Sequence, residues 1–79
     1  MSFTSVEQTI ANFFVQREGK GILEEIRKLD FFDDGILDSI DVVFLATYIE
    51  EEFGKKIDII DDSVLQSLRH FNDIVRLVS

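Results

Sequence analysis

Asp33-Asp34-Gly35-Ile36-Leu37-Asp38-Ser39-Ile40-Asp41 runs without a break into Val42-Val43-Phe44-Leu45-Ala46-Thr47-Tyr48-Ile49-Glu50-Glu51-Glu52-Phe53. The Asp-Asp-Gly turn delivers the chain to a small hydroxyl residue, Ser39, flanked by the carboxylates of Asp38 and Asp41. Asp38 or Ser39 reads as an N-cap, because a short side-chain oxygen there accepts from one of the helix's free N–H groups. Past the cap, Val42, Leu45, Ala46, Ile49 and Phe53 recur at i, i+3, i+4, i+7 and i+11, a single apolar stripe at helical period. Gly54 then stops the run, as a glycine just past a helix end does.

The stripe does not use all the apolar residues. At about 100° per residue, Ile40 and Phe44 fall opposite it, with Val43 and Thr47 towards the same side. They share that outer face with Asp41, Tyr48 and Glu51. A solvated face is polar throughout, so apolar side chains beside a serine at a helix start point to a docking surface. The plainer alternative is that Ile40 and Val43 tuck under a neighbouring loop; Phe44 is harder to accommodate in that way.

Gly35 to Asp41, with Val43, Leu45, Ile49, Glu50-Glu51 and Phe53, closely resembles the modification-site helix of the acyl carrier protein family. The resemblance is strong over residues 31–54, looser over 3–17 and 68–78, and poor over 55–67. In that family a serine in an Asp-Ser-Leu-like motif carries 4′-phosphopantetheine, and Ser39 is the matching position. Asp38, Ile40 and Asp41 match its neighbours. The segment from Phe32 to Ser39 is more similar to D-alanyl and peptidyl carriers than to the usual fatty-acid carrier. The resemblance implies a protein that is not itself an enzyme but carries acyl or aminoacyl groups as thioesters, for lipid metabolism of the fatty-acid type or a specialised pathway. It implies as partners a phosphopantetheinyl transferase, an acyl or aminoacyl ligase, and acyl-transfer or synthase enzymes. Docking would fall to Asp38, Ile40, Asp41, Val43, Phe44, Thr47, Glu50 and Glu51. The family often has an acidic residue where this chain has Phe44, a departure that hints at a dedicated partner.

Seventy-nine residues make one domain, here expected to be a monomer. A core of this size supplies about 3–5 kcal/mol without staples. There is no cysteine, so neither a disulfide nor a thiolate metal site can help. A hydrophobic content of 46% argues for a folded globule rather than an acidic disordered tail. No apolar run approaches the ~20 residues needed to cross a bilayer. Met-Ser-Phe-Thr-Ser-Val-Glu lacks the basic and apolar regions of a secretory signal, so the expected compartment is the cytoplasm. The charge of −8 is unevenly spread: residues 30–62 hold eleven acids and two lysines, net −9, against +1 for the remainder. Such a field repels nucleic acid and anionic membranes and steers basic protein surfaces towards Ser39.

Thr4-Ser5-Val6-Glu7 has capping-box spacing, and Val6, Ile10, Phe13 and Phe14 line one face through about Arg17. The first helix is therefore expected over about 4–17, with Gly19 and Gly21 opening a long loop, 18–38. Within it Ile22, Ile26 and Leu29 allow a short helix, whereas the resemblance implies mostly irregular chain. Phe31 or Phe32 should plug the loop into the core, since an unanchored tether is costly to order. The second helix is expected over about 39–53, and Lys55-Lys56 suit its C-terminus. Ile57, Ile59 and Ile60 make a short apolar bridge. Asp61 or Asp62 can cap a brief third helix over about 61–67, holding Val64, Leu65 and, at its end, Leu68. The last, about 70–78, sets Phe71, Ile74, Val75 and Val78 at i, i+3, i+4 and i+7. The expected fold is all-α, a small acyl-carrier-like four-helix bundle with a long first loop and a short third helix.

Other chemistries fit less well. A hydrolytic Ser39 would need a base, and the only histidine, His70, sits far along the chain at a helix start. Asp30, Asp34, Gly35, Leu37 and Asp41 fall at positions 1, 5, 6, 8 and 12 of a calcium-binding EF-hand loop. Phe32 at position 3, and Asp rather than Glu at 12, spoil that pattern. No metal site is expected. The remaining alternative is an acidic interaction bundle that is never modified, with Ser39 merely a cap.

Overall fold

The computed structural model describes residues 3–79; Met1 and Ser2, which begin the stretch read against a secretory signal, lie outside the described residues. Helix α1, Ser5–Glu18, starts where its sequence says it should. Glu7 N–H donates to Thr4 Oγ1 at 3.1 Å while Thr4 N–H donates to Glu7 Oε1 at 2.9 Å, satisfying two donors reciprocally. Ile10, Ala11, Phe13 and Phe14 are buried, with Val6 half-buried beside them.

The long connection is more ordered than irregular chain. Lys20–Glu24 form a 3₁₀ turn, and Ile22 and Ile26 are buried. Of the two candidate plugs, Phe31 has no exposed surface; its ring stacks on Phe14 with centroids 4.2 Å apart. Its N–H donates to Arg69 O at 2.7 Å. Phe32 is half-buried.

Helix α2, Ser39–Phe53, follows. Five of its fifteen residues are β-branched, so its stability depends on burying the stripe more than on intrinsic propensity. Val42, Leu45, Ala46 and Ile49 are buried as the period requires, with Phe53 half-buried. Gly54 closes the helix at φ +65°, the left-handed conformation that glycine adopts without strain, and its N–H donates to Glu50 O.

The Ile57–Ile60 bridge splits: Ile57 is buried, Ile59 half-buried and Ile60 exposed. Asp61, not Asp62, caps helix α3, Asp62–Ser67, accepting from Ser63 N–H at 2.9 Å. Helix α4, Phe71–Val78, buries Phe71, Ile74 and Val78. His70 stands at its N-cap position without a side-chain cap bond.

Among the described residues there is no strand, and no helix is long and apolar enough to cross a membrane. α1, α2, α4 and the first loop surround one core. The radius of gyration, 11.5 Å, matches the ~11.6 Å expected of a folded chain this long.

Candidate functional site

Ser39 is the first residue of α2 and is exposed; Asp38 is the cap. One Asp38 carboxylate oxygen accepts from Ile40 N–H at 3.0 Å and Asp41 N–H at 2.9 Å. Asp41 closes the box, its Oδ2 accepting from Asp38 N–H at 3.2 Å. The Asp41 N–H, then the Ile40 N–H and more weakly the charge of Arg17, hold the Asp38 carboxyl below its ordinary range. With the cap supplied by its neighbour, the Ser39 hydroxyl has no hydrogen-bond partner among the described residues. It is open to chemistry from outside.

An apolar cavity of about 390 Å³ lies beside it. Phe32 and Leu37 wall it from the loop, Val42 from α2, and Ile59 and Leu65 from the α3 side, with Asp38 and Ser39 completing the lining. Arg69 braces this wall. Its guanidinium meets Asp30 Oδ2 at 2.8 Å and Asp33 Oδ1 at 3.1 Å, and lies 5.6 Å from the Phe32 ring centroid. The Asp33 N–H and the Arg69 guanidinium pull the Asp30 carboxyl down to about 2.

On the outer face, Ile40, Val43 and Phe44 are 64%, 49% and 55% exposed, so the loop does not cover them. Thr47 and Glu51 are exposed as well; Thr47 Oγ1 donates to Val43 O at 3.0 Å. Three residues expected on that face or among the docking residues are engaged elsewhere. Tyr48 turns inward: its hydroxyl donates to Thr9 O at 2.6 Å and its ring lies 5.4 Å from Phe13. Asp41 is drawn towards α1, where Arg17 pairs with its Oδ1. Glu50 is folded onto the following loop, accepting from Ile57 N–H at 2.8 Å. Asp38, Ile40, Val43, Phe44, Thr47 and Glu51 therefore flank Ser39 or share its open face, whereas Asp41 and Glu50 are engaged inside the fold.

The EF-hand spacing does not gather a ligand set. Arg69 holds Asp30 and Arg17 holds Asp41, while Asp34 Oδ2 accepts from Asp30 N–H at 2.9 Å. No group of three or more His, Cys, Asp and Glu among the described residues is arranged to hold a metal ion. His70 faces Asp30 and Asp73, each at 3.6 Å, remote in sequence from Ser39.

Sequence patterns did not reveal Arg17, Arg69 or the wall made by Phe32. Arg17 and Asp41 are 24 residues apart, and Arg69 and Asp30 are 39 apart, beyond any local spacing rule. Comparison with family models, curated proteins and solved structures finds no match to this chain.

Proposed function

We propose that the chain is a carrier protein of the acyl-carrier type, bearing 4′-phosphopantetheine on Ser39 and acting as a substrate of enzymes rather than as one. The exposed, unpartnered Ser39 hydroxyl, freed from capping by Asp38, carries this conclusion. A serine serving only as a cap would have its oxygen on an N–H of the first turn.

In the modification, the Ser39 Oγ attacks the phosphorus of coenzyme A that bears the pantetheine. A new Oγ–P bond forms, the pyrophosphate P–O bond breaks, and adenosine 3′,5′-bisphosphate leaves. The Ser39 proton passes to a base of the transferase, since among the described residues no histidine or carboxylate accepts from the hydroxyl. When bound, the arm supplies a terminal thiol on which cargo rides as a thioester. Asp38 and Asp41 hold the head of α2 rigid while leaving Ser39 free.

The apolar lining of the adjoining cavity favours an acyl chain over a charged aminoacyl group, although a D-alanyl or peptidyl cargo is the nearest alternative. The exposed trio Ile40, Val43 and Phe44, set in the −9 segment, suits transient encounters with basic enzymes. Tethering raises the cargo's effective concentration at whichever enzyme is docked. Such a chain would work as a monomer in the cytoplasm, without nucleic acid or membrane insertion. Coexpression with a phosphopantetheinyl transferase tests the proposal. The intact mass should rise by one phosphopantetheinyl group, and Ser39→Ala should abolish the gain while keeping the helical circular dichroism.

A further inference from the structure

Ser39 stands among carboxylates, yet the group proposed for it arrives as a phosphate anion. The head of a helix ordinarily offers free N–H groups and a partial positive charge to such an anion. Here that resource is largely spent: the Ile40 and Asp41 N–H groups both donate to Asp38. Asp41 adds a second negative charge, and one of its oxygens is occupied by Asp38 N–H. Its other oxygen meets Arg17, from the last turn of α1.

Arg17 is built into place. Its guanidinium lies 5.5 Å from the centroid of the buried Phe13 ring, which packs in turn on Tyr48. About a third of its side chain stays exposed, so its charge is felt at the mouth of the site. No base within residues 30–62 can replace it. Lys55 and Lys56 follow the far end of α2, whose fifteen residues span about 22 Å, well past the ~8 Å screening length of physiological salt.

We propose that Arg17 is a positioning residue of the Ser39 modification site. By holding Asp41, it offsets the negative charge that a phosphate group meets at the head of α2. This rests on Ser39 being the point of attachment. Arg17 forms no bond in the transfer; it lowers the cost of placing a phosphodiester beside two carboxylates. A purely structural Arg17 would support the unmodified and modified proteins equally. A charge-offsetting Arg17 matters more once the phosphate is present.

Thermal unfolding of the unmodified and phosphopantetheinylated forms separates these roles. Arg17→Gln should lower the melting temperature of the modified form by about 3 °C more than that of the unmodified form. Arg17→Lys should keep the difference near the wild-type value, and R17Q/D41N, with the same local charge as wild type, should restore it. Asp41→Asn alone should narrow the difference below wild type, a readout that survives if R17Q does not fold. Equal shifts in both forms of R17Q, or no narrowing in D41N, overturn the inference while leaving the carrier function standing. A wild-type chain that takes up no phosphopantetheine sinks the carrier function itself, and this inference with it.

Discussion

Truncating Phe31 to alanine should bring this protein close to unfolding. Phe31 is fully buried, stacks on Phe14, and fixes the loop to Arg69 O through its own N–H. Phe→Ala at such a site removes the transfer free energy of the ring and leaves a cavity, about 3–5 kcal/mol together. The ring stacking contributes about 0.5–1.5 kcal/mol of that beyond area alone. A core of this size supplies about 3–5 kcal/mol, the low end of the range for folded domains, so the change consumes most of it. Urea unfolding followed by far-ultraviolet circular dichroism is the assay. With m near 1 kcal/mol/M, the midpoint should fall by about 3 M or the native baseline should vanish. Phe31→Leu, which retains most of the volume, should cost about 1.5 kcal/mol or less. Phe32→Ala is the control, because Phe32 is half-buried and walls an open cavity rather than filling the core. If Phe32→Ala destabilised as much as Phe31→Ala, the assignment of Phe31 as the plug would be refuted.

Phe44→Glu should slow loading by the cognate ligase more than it slows modification by the transferase; an unchanged loading rate counts against a dedicated apolar contact. The Asp30 carboxyl, at about 2 in the folded protein against ~3.9 when unfolded, contributes stability that is complete above about pH 4 and fades as the pH falls towards 2. Asp30→Asn should flatten the acid limb of the stability curve in that window, and an unaltered slope would show that Arg69 and the Asp33 N–H do not hold this carboxylate.

The helices were legible because their ends are written locally. Thr4 with Glu7 fixes the start of α1 and Gly54 the end of α2 within a few residues of chain, and the start of α2 is narrowed to Asp38 or Ser39. The burial of Val42, Leu45, Ala46 and Ile49 follows from period alone. What period could not give was the second layer. Tyr48 lies on the outer side of a helical wheel, yet its long side chain reaches round to Thr9 O and joins the core. Asp41 and Glu50 read as free acids until Arg17 and the Ile57 N–H engage them. The 3₁₀ turn over Lys20–Glu24 has no cap of its own and is held by burial of Ile22. The exposure of Ser39 was hidden in the same way, because sequence left the cap open between two adjacent residues. Only the bonds from Ile40 and Asp41 to Asp38 assign it.

Peptide-level mass spectrometry of the chain recovered from its own cells would test the carrier proposal most directly. A phosphopantetheinyl group mapped to Ser39, with or without a thioester-bound cargo, is the predicted result. A Ser39 peptide that stays unmodified while transferase and coenzyme A are both abundant would contradict it.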